Sequence, residues 1–203
     1  MASHPTKFRL LAFSALCFPA FGAEQPLTHD PSIHAGAGLK KELLAGITEA
    51  AFLKLSDQPK TVKVTLVAAF AEANSWMNLN GYSHGQAIYT IPTGWTVEVI
   101  FINPSPAPHS ITVVERDMIK KVQVGEPAFR GASTLNPITG MSSSLATFTF
   151  LAGEPGRYAF ACGIPTHAAS GHWIALNVSA ETNAPTLKLG DGLAKGATAL
   201  DRK

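Results

Sequence analysis

The chain has 203 residues, of which 46% are hydrophobic and 15% charged, with a formal net charge of +2. Lys and Arg do not cluster along it, so it lacks the basic patch that marks a nucleic-acid binder, and no nucleic acid is expected among its partners. The length suits one decorated domain with a core large enough to hold without disulfides.

The chain opens with Lys7 and Arg9, an apolar run from Leu10 to Phe21, and then Ala20-Phe21-Gly22-Ala23. This is the pattern of a secretory signal peptide over residues 1–23, cleaved beside Ala23. The run is shorter than the ~20 apolar residues of a spanning helix, and no later stretch comes closer. Leu16 precedes Cys17 where lipoprotein processing wants Gly or Ala, which argues against a lipid anchor. A soluble protein with no membrane span is expected, in the periplasm or otherwise outside the cytoplasm. Removing residues 1–22 takes away Lys7 and Arg9 and no acid, leaving 14 basic against 14 acidic residues. It also leaves Cys162 as the only thiol, which therefore cannot form an intramolecular disulfide. Such a thiol is buried, paired between chains, a nucleophile or a metal ligand, and its neighbours must decide.

Residues 24–60 read as an irregular arm with Pro26 and Pro31, followed by an amphipathic helix. Leu39, Leu43, Ile47, Ala50 and Ala51 fall at helical spacing, which predicts that helix over 38–55. It would cover a sheet edge or mediate dimerisation. From Thr61 the pattern turns to short segments rich in β-branched and aromatic residues: 62–70, 86–91, 96–103, 110–114, 144–150, 156–161 and 173–178. Asn80-Gly81, Pro92-Thr93-Gly94, Pro104 to Pro108 and Glu154-Pro155-Gly156 punctuate them as turns. The expected fold class is all-β, a Greek-key sandwich or barrel over 61–179, with the N-terminal helical extension and a tail over 180–203.

Two loops carry the chemistry. One is the Pro-rich run from Asn103 to Ser110, ending in His109 at a strand start; the other is Cys162-Gly163-Ile164-Pro165-Thr166-His167-Ala168-Ala169-Ser170-Gly171-His172-Trp173, between the last two strands. Taken singly, Cys162 reads as a small buried hydrophobe and each histidine as a turn or surface residue. Together, a lone exported thiol, a histidine five residues on and another before an upstream strand are a thiolate and imidazole set that suits copper. Proline in both loops serves the rigidity an electron-transfer site needs. Zinc would accept the same donors. A Cys162–His167 nucleophile pair is disfavoured, because both sit in one loop with no cationic setting to lower the thiol pKa. His84, Met77 and Met141 are further metal candidates, though His84 reads first as a solvated turn residue, and Trp173 reads as core packing beside the ligand loop. Asn103 is a candidate to bond across to the Cys162 strand.

The runs Met77 to Tyr82, Pro106 to Ser110 and Cys162 to Gly171, with Phe129-Arg130-Gly131-Ala132 and Asn136-Pro137, resemble sulfocyanins, a branch of the blue copper proteins. The resemblance covers roughly 61–179 and implies a cupredoxin fold, one mononuclear copper ion and electron transfer within a respiratory chain. It implies His109, Cys162 and His167 as equatorial ligands. It also implies Met five residues beyond the second histidine, where this chain has His172. Either His172 binds as a stronger donor to Cu(II), favouring the oxidised state and a green-to-red centre, or it points away and leaves three donors. An electron carrier is the leading expectation, not an enzyme, with a cytochrome or terminal oxidase as redox partner and a monomer or small homo-oligomer as the working form. A labile position for a small ligand such as nitric oxide, or copper delivery, are the alternatives. Near-zero charge points to docking by apolar contact.

Overall fold

The computed structural model describes residues 40–190. The predicted signal peptide, the arm over 24–36 and the end of the tail lie outside the described residues. Within them the strands are β1 Leu53–Leu55, β2 Thr61–Val67, β3 Ile88–Pro92, β4 Trp95–Asn103, β5 Thr112–Glu115, β6 Ser144–Ala152, β7 Gly156–Ala161, β8 Trp173–Ser179 and β9 Thr186–Lys188. They form two mixed sheets, ordered β1-β2-β4-β6 and β5-β7-β8-β3-β9. The parallel pairs are β2 with β4 and β3 with β8; the remaining neighbours run antiparallel.

The alternation along β4 shows why the sheets face each other. Val97, Val99 and Phe101 are buried while Thr96, Glu98 and Ile100 are half-buried, so one face of the strand enters the core. Val62, Val64 and Leu66 of β2 join them from the same sheet, and Tyr89, Ile91, Phe160, Ile174 and Leu176 close the core from the other. The all-β sandwich expected from the sequence is therefore the observed fold.

The helix expected over 38–55 is replaced, in its described part, by two 3-10 turns, Lys41–Leu44 and Glu49–Ala51, and by β1. Gly46 sits between the turns at φ +75°, a left-handed conformation that breaks a helix. Tertiary pairing decides the rest: Leu53 to Leu55 hydrogen-bond antiparallel to Val62–Val64, and Leu44 packs on Val67 and Ile102. The segment thus covers part of the sandwich as 3-10 turns and an edge strand rather than as one helix. At the other end β9 pairs with β3, and Leu187 and Leu189 pack on the core.

Asn80 and Gly81 have φ of 56° and 84°, both positive as in a type I′ turn, joining the Leu79–Tyr82 bridge. The Asn80 side chain does more than turn the chain. Its Oδ1 accepts from the Val67 N–H at 2.7 Å, and its Nδ2 donates to the Thr65 carbonyl at 2.9 Å and Tyr89 Oη at 3.2 Å. All of this is buried, so Asn80→Ala strands two backbone groups at the end of β2. The expected loss is about 2–4 kcal/mol, read as a lower urea midpoint with unchanged slope in the metal-free protein.

Candidate metal centre

His109 is placed by a backbone bridge. Its N–H donates to the Met141 carbonyl at 3.0 Å and its own carbonyl accepts from the Met141 N–H at 2.9 Å. Asn103, fully buried, shapes the loop before it: Nδ2 donates to the carbonyls of Ala107 at 2.8 Å and Met141 at 2.6 Å, and Oδ1 accepts from the Ser105 N–H at 3.0 Å. The amide therefore ties the His109 loop to the Met141 segment, and not to the Cys162 strand as the sequence reading supposed. The amide's donors and acceptor are taken up by Ala107, Ser105 and Met141.

Cys162 follows β7 directly, and His172 precedes β8. Because β7 and β8 pair antiparallel, the Cys162 N–H reaches the His172 carbonyl at 3.0 Å and closes the intervening loop at its base. Inside the loop the His167 N–H donates to Ile164 O at 3.1 Å, and the His172 N–H to His167 O at 3.0 Å. Gly171 makes the return at φ +94°, and a Cβ there would run into the His84 ring.

These constraints bring four donors together. One donor atom from each of His109, Cys162, His167 and His172 lies within 4.8 Å of all the others. Cys162 Sγ is 3.5 Å from His167 Nδ1. Metal–thiolate and metal–imidazole bonds of about 2.3 Å and 2.0 Å separate two donors by about 3.5 Å at a near-tetrahedral angle, so the pair fits a shared ion. The His109 ring stands 4.7 Å from that of His172 and 5.5 Å from that of His167, centroid to centroid. His109, Cys162 and His172 are fully buried, whereas His167 is partly exposed.

Burial pushes the Cys162 thiol pKa up, opposed by hydrogen bonds from the backbone of Ile164 and Ser110 and from the Ser110 hydroxyl. The metal-free protein therefore keeps a neutral thiol, and a cation that binds the sulfur takes the proton's place. The chemistry of the set, one thiolate and three imidazoles in a mostly dry pocket, matches a soft-to-borderline transition metal.

Ser110 was missed in the sequence reading. Its hydroxyl accepts from the Gly163 N–H at 2.9 Å, donates to Pro137 O at 2.6 Å and lies 3.8 Å from Cys162 Sγ. The tie between the two ligand loops assigned to Asn103 belongs to Ser110. Its position directly after His109 was the available signal. Of the other residues considered, His84 is exposed, lies outside the four-residue group and packs over Gly171. Trp173 is partly exposed; it packs on the apolar cluster containing Ala168, abuts Gly85 and carries Arg116 5.2 Å above its ring.

The family model for the Sulfocyanin (SoxE) domain matches residues 48–188. The chain belongs to the sulfocyanin family. It is 31% identical over 140 residues to the sulfocyanin of Sulfolobus acidocaldarius, covering 64% of this chain and 69% of that one. Similar solved structures include dithionite-reduced auracyanin from Roseiflexus castenholzii, at 26% identity over 58% of this chain and 96% of that chain, with TM-score 0.40. Reduced rusticyanin solved by NMR is another, at 24% identity over 68% of this chain and 90% of that chain, with TM-score 0.44. Sulfocyanins are cupredoxins, which bind one copper ion, and the cluster is a donor set that could hold it.

Ser110→Ala leaves the Gly163 N–H and the Pro137 carbonyl without their partner. The expected result is a loss of about 1–3 kcal/mol in urea denaturation of the metal-free sulfocyanin, most of it recovered in Ser110→Thr, which keeps the hydroxyl.

Proposed function

We propose that this sulfocyanin is an exported carrier of single electrons in a respiratory or related redox chain. In this reading His109, Cys162, His167 and His172 would hold the copper, His172 standing where relatives have Met. The observation that carries it is the convergence of four donors within 4.8 Å, three of them fully buried. When bound, copper supplies a one-electron Cu(II)/Cu(I) couple. The backbone bonds that close the Cys162–His172 loop would limit movement of the donors between the two states, and so lower the cost of reorganisation.

His167 is the one member of the set outside the fully buried core, so it would be the route by which an electron leaves. In the two ligand loops Pro106, Pro108, Pro165 and Ala169 are exposed and Ile164 is half-buried. Leu135 and Ile138 add to these, 86% and 55% exposed, from the loop whose Pro137 abuts Gly163. Apolar residues beside the least buried ligand suit brief docking to a redox protein such as a cytochrome or terminal oxidase. A role as a carrier rather than an enzyme, outside the cytoplasm, follows from the same reading. Among the described residues no helix is long and apolar enough to cross a membrane.

His172 would donate more strongly to Cu(II) than a thioether does, and would therefore favour the oxidised state. The protein should bind one equivalent of copper, give a reversible one-electron voltammetric wave and show a green or red centre. His172→Met should turn it blue and raise the reduction potential. An intense blue band with small copper hyperfine splitting in the unmodified protein would remove His172 from the ligand set, and no copper uptake would end the proposal. Cys162→Ser should abolish the intense sulfur-to-copper band while the metal-free protein remains folded.

A further inference from the structure

The His172 ring is held from outside the donor cluster. Its Nε2 lies 3.2 Å from the backbone carbonyl of Asn78, 94 residues away in sequence. A carbonyl only accepts, so Nε2 carries the proton in this contact, and the neutral ring offers the lone pair of Nδ1. Nε2 being committed to the carbonyl, Nδ1 is the nitrogen left to serve as a ligand.

What holds that carbonyl in place is unusual. The Asn78 side chain is fully buried and makes four hydrogen bonds to backbone. Oδ1 accepts from the N–H groups of Ala71 at 3.4 Å and Gly81 at 3.0 Å; Nδ2 donates to Ala71 O at 2.7 Å and Ala73 O at 2.8 Å. The amide thus knots residues 71–81 around itself. Just before it, Asn74, Ser75 and Trp76 have φ of 51°, 52° and 68°, three successive residues in the left-handed region. Asn tolerates that region, but Ser and Trp pay a Cβ clash, so the turn persists only where its surroundings fix it. The same turn grips the ligand loop a second time: Asn74 Nδ2 donates to Ser170 O at 3.0 Å, two residues before His172.

Resting on the reading of His172 as the fourth ligand, we propose that Asn78 is a positioning residue for the metal centre, its amide locking the left-handed turn whose carbonyl sets the tautomer and aim of His172. A histidine turned by such a contact presents Nδ1 in one direction without an entropic cost at metal binding. Removing an outer partner of this kind typically weakens metal affinity about 10–100-fold. Because an imidazole stabilises Cu(II) over Cu(I), the loss falls mainly on the oxidised state and the potential rises.

The test is a double-mutant cycle on the full copper-loaded protein: unmodified, Asn78→Ala, His172→Ala and the pair together. Cu(II) affinity is read by chelator competition, the potential by voltammetry and the site by EPR. Asn78→Ala is expected to weaken Cu(II) binding about tenfold, to raise the potential by about 59 mV if Cu(I) binding is unchanged, and to alter the hyperfine splitting. In the His172→Ala background the same substitution should leave all three unchanged. Equal shifts in both backgrounds would mean that Asn78 only supports the fold, and overturn the proposal. If His172→Ala alone leaves the EPR spectrum and potential unaltered, the fourth-ligand reading fails, and the proposal with it. Asn74→Ala, at a partly exposed position, serves if Asn78→Ala does not fold: a smaller rise in potential supports the proposal and no rise counts against it. Independently of copper, nitrogen NMR of the metal-free protein should find the Nε2–H tautomer at His172; the Nδ1–H tautomer would overturn the proposal whatever the metal does.

Discussion

The hydrogen bond from the Gly163 N–H to the Ser110 hydroxyl, 2.9 Å long and spanning 53 residues of sequence, joins the two loops that carry every donor of the metal centre. His109 lies on one side of it and Cys162, His167 and His172 on the other. The same hydroxyl donates a hydrogen bond to Pro137 O, which draws in the loop bearing Leu135 and Ile138. One buried oxygen therefore sets the approach of the two donor loops and anchors the loop that carries exposed Leu135 and Ile138.

Around that tie the sandwich supplies the stiffness. β7 and β8 bracket the Cys162–His172 loop, so its two ends are fixed by a sheet and only its interior is free to take the shape that the ligands require. β4 runs into Asn103, whose amide shapes the chain leading to His109. Polar groups buried at this end of the molecule are costly to leave unmatched, and Asn78, Asn80, Asn103 and Ser110 each answer backbone groups of irregular loops. Four polar side chains do here what hydrogen-bonded ladders do in the sheets.

Much of the site was legible because its signals are local in sequence. The spacing Cys162, His167, His172 lies in one loop, and a thiol so placed between strands and beside two histidines has few uses. The strands from β2 to β8 were legible from β-branched runs between turn residues, with ends that shift by up to about three residues. The N-terminal helix misled because periodicity in Leu39, Leu43 and Ile47 outweighed Gly46, and because the pairing of Leu53 to Leu55 with β2 is invisible without the partner strand. Asn103 misled for a related reason: an amide's reach is plain from the sequence, but its direction is not.

The sequence by itself determined the donor types, their grouping into two loops, the all-β pattern and the departure at His172. These depend on residue identity and short spacing, which the chain carries wherever it folds. Only the tertiary structure decided that Ser110 ties the loops, that His109 meets the other three donors within 4.8 Å, and that the Asn78 carbonyl meets the His172 ring. Each of these joins residues more than 50 positions apart, and such contacts exist only once both sheets have packed and closed one end of the sandwich around the cluster.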